Sequence, residues 1–351
     1  MKKLGYLLLV ALALAVAAYA ARRPLLHRLV TLKIDQTLQR VDYSLLDDGR
    51  LHVILCGTAA ALPDVNRAGP CTAIIAGGQF WLVDAGPASW REVDTLNLPI
   101  SKLSGILITH FHSDHIGDLG EAITQSWIAG RAQPLDIYGP QGIEQVVAGF
   151  QQAYGFDEKY RVEHHGVAYL PPAGDTAVAH ALATPQGTAA VPVFEHDGLR
   201  VSVFRVEHEP ASPAFGYRFE YRGRVVVVSG DTRKTESVIA NARHADLLVH
   251  EAVSADMLHR ASKQARTLGM NRIAKMVNDL PGYHTTPVQA AEVSEAAQVH
   301  ELVLTHIFPQ LPNALARRMF LSGTAAAFHG PIVLGADGMR FDLEPKEGAG
   351  T

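Results

Sequence analysis

The sequence predicts an α/β sandwich of about 300 residues behind a separate apolar N-terminal segment. Two observations predict it. From about Leu51 onward, short runs rich in Val, Leu and Ile, too brief for helices, alternate with helix-like stretches. Six of these runs end in His, Asp or Glu, as they do where rigid strand ends carry a site at one edge of a layered fold. The composition agrees. Of 351 residues, 48% are apolar and 19% charged, which supplies a core and excludes a mainly disordered chain. Two cysteines exclude a disulfide framework or a Cys-rich zinc module.

Lys2 and Lys3 precede an uncharged run from Leu4 to Ala21. Its length is close to the roughly 20 residues that span a bilayer. The triplet Ala18-Tyr19-Ala20 also fits a signal-peptidase site. Residues 1–30 are therefore read as a signal peptide or a membrane anchor, and residues 45–345 as the single folded domain. The expected location is outside the cytoplasm: periplasmic, or anchored and facing the periplasm. Arg22, Arg23 and Arg28 balance the N-terminal lysines, so a cytoplasm-facing anchor is the alternative.

Gln79–Val83, Gly105–Thr109, Arg224–Val228, Asp246–Val249 and Glu301–Thr305 read as buried strands, and Val201–Glu207 as a half-exposed one. Asp114–Ala129 and Pro287–Val299 read as helices, the second capped by Thr285 or Thr286 before Pro287. Pro171 to Pro192, rich in Ala, Thr, Gly and Pro, reads as a long surface loop. Cys56 and Cys71, on successive strands, are read first as buried free thiols, with a disulfide in an oxidising compartment as the alternative if those strands pair.

The residues just past the strands carry the chemistry. Gly105–Thr109 runs into His110-Phe111-His112-Ser113-Asp114-His115. The others run into Asp84, His208, Asp231, His250-Glu251 and His306. His110 and His112, two apart on extended chain, face one side, and Asp114 and His115 come at the turn into a helix. Imidazole nitrogen and carboxylate oxygen suit Zn, Mn or Fe without sulfur. Polar residues end strands everywhere, which accounts for Asp84 and His250 but not for the His-x-His-x-Asp-His run. His164, His165, His180, His196, His300 and His329 fit no ligand pattern.

These residues resemble the metallo-β-lactamase-fold hydrolases, and among them the ribonuclease Z branch. The marks are Gly57-Thr58-Ala59, Val83-Asp84-Ala85-Gly86, Thr109 through Gly117 and Ile137-Tyr138-Gly139-Pro140. They continue with His208 and Phe215-Gly216-Tyr217-Arg218, Ser229-Gly230-Asp231-Thr232, His250-Glu251-Ala252, His284-Thr285-Thr286 with Gln289-Ala290-Ala291, and Thr305-His306-Ile307. The resemblance implies a four-layer αββα sandwich with two divalent ions, Zn2+ first and Mn2+ or Fe2+ as alternatives. It implies that His110, His112 and His208 hold one ion, that Asp114, His115 and His306 hold the other, and that Asp231 bridges. Asp84 would orient a ligand, and Glu251 and His284 would pair beside the metals. The implied reaction is phosphodiester hydrolysis by a metal-bridging hydroxide, with Asp114, His284 and Glu251 as catalytic residues. Exported arylsulfatase-like members are similar, so sulfate-ester or other ester and lactone hydrolysis is an alternative, and tRNA 3′-end processing a second. A redox di-iron protein would need an electron-transfer domain for which no residues remain, and a binding protein would not need the full ligand set.

Two features separate the chain from an RNA-processing reading. Outside the first 30 residues, 26 basic residues face 35 acidic ones, a net −9. The stretch 152–195, where that branch carries its basic RNA-gripping arm, holds Lys159 and Arg161 against five acids, a net −3. The expected partners are a small anionic ester substrate, a membrane through residues 4–21 if that run is retained, and a second copy of the chain in a homodimer. Nucleic acid is not expected.

Overall fold

A computed structural model describes residues 2–348, which divide into two units, one ending at Asp42 and the other beginning at Tyr43. The first unit is a single helix, Lys2–Leu38, rich in Ala and Leu, which lose little side-chain freedom in a helix. By length and composition it is able to cross a membrane.

The second unit holds two seven-stranded sheets. The first half of the chain supplies β1 (Leu51–Gly57), β2 (Cys71–Ala76), β3 (Gln79–Val83), β4 (Leu103–Leu107), β5 (Leu135–Gly139) and β6 (Ala177–Ala181). The second half supplies β7 (Val191–His196), β8 (Leu199–Val206), β9 (Ala214–Tyr221), β10 (Arg224–Val228), β11 (Leu247–Val253), β12 (Glu301–Phe308), β13 (Ile332–Leu334) and β14 (Arg340–Leu343). The sheet orders are β14-β1-β2-β3-β4-β5-β6 and β13-β12-β11-β10-β9-β8-β7, so the last strand returns to complete the first sheet. From β3 to β6 and from β10 to β13 neighbours run parallel, and the rest are antiparallel.

Three apolar layers make the four-layer sandwich. Along β1 the pleat sends Ile54 and Cys56 outward and Leu51, Val53 and Leu55 inward. The outward side packs under helices Ser89–Thr95, Leu119–Ile128 and Ile143–His165. The inward side meets Val201, Phe215, Tyr217 and Val249 of the second sheet. The far face of that sheet packs on helices Glu236–Asn241 and Pro287–Ala297. A large-to-small change in the middle layer, such as Phe215→Ala, should cost about 3–5 kcal/mol.

Three expectations are corrected. The helix expected over Asp114–Ala129 is two pieces, Ser113–Ile116 and Leu119–Ile128. At the break Asp118 N–H donates to the Ala85 carbonyl, and Gly117 packs so close to Pro87 that a Cβ there would lie 2.7 Å from the ring. The stretch Pro171 to Pro192 is not one loop: it contains β6, which forms an edge of the first sheet, and opens β7. Cys56 and Cys71 are not free thiols but a disulfide, with Cα atoms 5.0 Å apart. A register shift between Leu55 and Gly57 brings Cys56 beside Cys71 on the same face of the β1–β2 pair.

Candidate metal centre

The site grows out of strand ends that the core holds rigid. Beyond β4, the Thr109 N–H and hydroxyl donate to the two oxygens of Asp84 at 2.8 and 2.9 Å. Asp84 and His306 both have positive φ, an uncommon conformation for residues with a side chain, yet Asp and His adopt it more readily than most. Gly230, beside Asp231, also has positive φ, and a Cβ there would lie 2.4 Å from the Phe215 carbonyl oxygen. Only glycine lets the chain turn Asp231 into the site here.

The seven expected ligand residues are brought together. His110 Nε2 lies 2.9 Å from His112 Nδ1, and His208 Nε2 lies 3.3 Å from the same atom. On the other side, Asp114 Oδ2 lies 3.5 Å from His115 Nε2 and 3.3 Å from His306 Nε2. Asp231 Oδ2 sits between the groups, 3.9 Å from His110 Nε2, 3.7 Å from His208 Nε2, 3.3 Å from His115 Nε2 and 3.2 Å from His306 Nε2. Ligand atoms about 2.0–2.1 Å from a tetrahedral zinc would be roughly 3.3 Å apart, so these separations are of coordination size. The buried His115 Nε2 has no hydrogen-bond partner among the described residues and faces two carboxylates. The donor set fits two metal ions: His110, His112, His208 and Asp231 form one cluster and Asp114, His115 and His306 another, while Asp231, His284 and His306 form a third grouping that overlaps both.

The outer contacts fix which ring nitrogen is offered. His115 Nδ1–H donates to Asp84 Oδ2 at 2.8 Å, and His208 Nδ1–H to the Tyr283 carbonyl at 2.9 Å, which turns each Nε2 inward. Burial drives the His110 imidazole well below its ordinary range and His208 down to about 4, so both are neutral and ready to ligate. His115 differs. Burial opposes its charge, but Asp231 and Asp84 outweigh burial and hold the metal-free imidazole well above its ordinary range.

Glu251 and His284 form the expected pair beside the cluster. Glu251 Oε1 accepts from His284 Nδ1 at 3.0 Å and from the backbone N–H groups of Thr285 and Thr232 at 3.0 and 3.2 Å. Burial, with Asp231 adding repulsion, pushes the Glu251 carboxyl well above the usual range, and burial lowers His284. His284 Nδ1 is 3.9 Å from Asp231 Oδ2, so the pair adjoins the cluster. Thr286, not Thr285, caps the next helix, Pro287–Ala297, through a capping box with Gln289. His250 is fully buried with Nδ1 on the Glu251 carbonyl and lies outside the clusters.

Sequence reading missed the Tyr283 carbonyl behind His208 and the two amides behind Glu251, because backbone groups leave no residue signature. Two cavities flank His112. One of about 400 Å³ reaches His284 and His306, and one of about 360 Å³ reaches His110, and neither is lined by Lys or Arg among the described residues. The two cations of the 152–195 stretch pair within their own helix: Arg161 with Asp157 at 2.6 Å and Lys159 with Glu163 at 3.9 Å.

Comparison with known proteins agrees with this geometry. Residues 81–307 match the family described as the beta-lactamase superfamily domain. A ribonuclease Z of Mycobacterium bovis is 33% identical over 299 residues, covering 84% of this chain and 99% of the relative. A ribonuclease Z of a Mycobacterium sp. is 35% identical over 298 residues, covering 84% and 97%. In fold, the chain resembles the metallo-beta-lactamase fold protein YhfI from Bacillus subtilis, with a TM-score of 0.60 at 20% identity over 84% of this chain and 99% of that one. It also resembles the short form of human tRNase Z, with a TM-score of 0.59 at 22% identity over 83% and 99%. A sandwich with this topology, a His/Asp cluster at its strand ends and these relatives lead to one conclusion: the chain belongs to the metallo-β-lactamase superfamily and is related to ribonuclease Z.

Proposed function

We propose that the protein is a dinuclear, zinc-dependent phosphodiesterase that acts on small anionic esters outside the cytoplasm. The observation that carries the reading is the convergence of five imidazole nitrogens, those of His110, His115, His208, His306 and His284, within 3.2–3.9 Å of Asp231 Oδ2. His110, His112 and His208 would hold one ion and Asp114, His115 and His306 the other, with Asp231 placed between the two groups. Bound there, the two ions supply Lewis acidity toward the phosphoryl oxygens and lower the pKa of water toward neutrality. The protein's own groups do the rest. Asp114 orients the attacking water and accepts its proton. Glu251 Oε1 accepts from His284 Nδ1–H, which leaves Nε2 free; His284 in its imidazolium form gives the Nε2 proton to the departing ester oxygen and becomes the neutral imidazole.

The acidic body and the absence of Lys and Arg among the described residues of both flanking cavities favour a small substrate over tRNA. Two features support export: the apolar helix Lys2–Leu38 and the Cys56–Cys71 disulfide, which belongs to an oxidising compartment. A reporter fused after residue 40 tests this, and activity only from a cytoplasm-specific reporter refutes it. The second reading, tRNA 3′-end processing, has the relatives named ribonuclease Z in its favour. Zinc-loaded protein should cleave bis-(p-nitrophenyl) phosphate and leave precursor tRNA largely intact. Efficient, salt-sensitive tRNA cleavage reverses that choice, and failure on every diester, sulfate ester and lactone refutes the hydrolase reading.

A further inference from the structure

The larger cavity beside His284 differs in kind from the rest of the site. Its floor is made of His112, His284 and His306, and its walls of Leu62, Val253, Met276, Leu280 and Phe308. Three segments supply those walls. One is the loop after β1. A second is the end of β11 and the end of β12. The third is the helix Asn271–Asp279 with the turn at its end, the second arm of a hairpin whose first arm is Ala255–Thr267. A small cluster of Ala60, Val253, Leu258, Val277 and Phe308, with Leu280 against it, holds this wall in place. The hairpin supplies no residue to the ligand clusters. Apart from the site's own histidines, Asp279 is the single ionisable group besides Tyr283 among the described lining residues, and its charge has the wrong sign for a phosphate. The other cavity, against His110, sets the neutral polar side chains Gln141 and Ser212 among prolines, Phe111 and Ala211. The two approaches to the metal centre therefore suit different groups.

We propose that the cavity lined by Leu62, Met276 and Leu280 is a hydrocarbon subsite, so that the substrate is an ester carrying an aryl or medium-length alkyl group. The proposal rests on the hydrolase reading above and names the substrate class for that site. About 400 Å³ is the size of a small-molecule pocket, enclosed enough to take a ring or chain out of water while the anionic head lies over the histidines. Met276 and Leu62 are about half exposed at the rim, at 56% and 48%, so a chain longer than the cavity has apolar surface to track outward.

The test uses full-length, zinc-loaded protein and a series of linear n-alkylphosphonates from methyl to octyl. Their affinity is read by titration calorimetry and, separately, as competitive inhibition of nitrophenyl ester hydrolysis. Affinity should tighten about fourfold per methylene, the expected gain for burying a CH2 group, until the cavity is full. Met276→Asp and Leu280→Asp should each flatten the series. Met276 is half exposed, so its variant tests the subsite even if the Leu280 variant folds poorly. Affinity that does not change with chain length, or no binding of any member, overturns the subsite. A chain-length series without hydrolysis of any ester overturns the hydrolase reading and leaves the subsite standing, because calorimetry does not depend on turnover.

Discussion

Replacing Glu251 by Gln and His284 by Ala separates proton donation from metal holding. In the folded protein Glu251 Oε1 accepts three N–H donors, from Thr232, Thr285 and His284, while Oε2 is buried without a hydrogen-bond partner among the described residues. A Gln carbonyl at the Oε1 position keeps all three donors, and its NH2 occupies the Oε2 side. What is lost is the difference between a charged and a neutral acceptor, about 1–1.5 kcal/mol, or roughly tenfold in rate. Burial already holds the Glu251 carboxyl well above its usual range, which puts Glu251→Gln at the lower end of the roughly 10–100-fold expected for residues that orient others. His284→Ala removes the donor itself and should cost about 10²–10⁴. The assay is kcat/KM on paired diesters with nitrophenyl and unsubstituted phenyl leaving groups, alongside elemental analysis for metal. Nitrophenolate leaves without needing a proton, so the His284→Ala loss should be clearly smaller for that ester. Equal losses on both esters refute proton donation. Loss of metal from His284→Ala makes His284 a ligand and displaces His208 or His306.

Further outcomes concern the metals and the fold. Asp231→Asn should lower metal content from two equivalents toward one, read by elemental analysis, because Asp231 Oδ2 lies 3.7 Å from His208 Nε2 on one side and 3.2 Å from His306 Nε2 on the other. Metal affinity should rise with pH near neutrality and binding should release a proton, because Asp231 and Asp84 hold metal-free His115 protonated, above its ordinary range, and the ion must displace that proton. Calorimetry in buffers of different ionisation enthalpy measures it, and zero proton release contradicts the assignment. Replacing Cys56 and Cys71 together by Ala should remove about 3 kcal/mol, given their 15-residue separation, and lower Tm by roughly 5–10 °C. Reductant should destabilise the wild-type chain and leave the variant's melting unchanged.

Much of the site was legible because it is written in side chains at strand ends. His110 through His115, His208, Asp231 and His306 each come at or just past an apolar run, and such runs become core strands whose ends the packing fixes. Its strand-end position alone did not mark Asp84 as a site residue; the family resemblance did, and Asp84 accepts bonds from Thr109 and His115. Features set by neighbours in space were not legible. The break at Gly117 depends on the Pro87 ring, and the disulfide on a register shift in β1. β6, an Ala-rich edge strand with one partner, lacks the apolar run that marks a central strand.

The same contrast explains why the reaction is easier to read than the substrate. Chemistry here needs ligands within about 4 Å of one another, and two sheets packed face to face supply that precision with a few fixed spacings. The proposed hydrocarbon subsite is built elsewhere. The cavity wall draws Leu62, Val253, Met276 and Phe308 from segments far apart in the chain, none of them with a pattern of its own beyond ordinary apolar residues. The hairpin Ala255–Asp279 lies between Glu251 and His284 in the chain; Glu251 is held at the end of β11 and by the Thr232 and Thr285 amides, and His284 by Glu251. In the proposed reading, the His/Asp cluster at the strand ends carries the reaction, and the apolar wall of Leu62, Met276 and Leu280 selects the ester group.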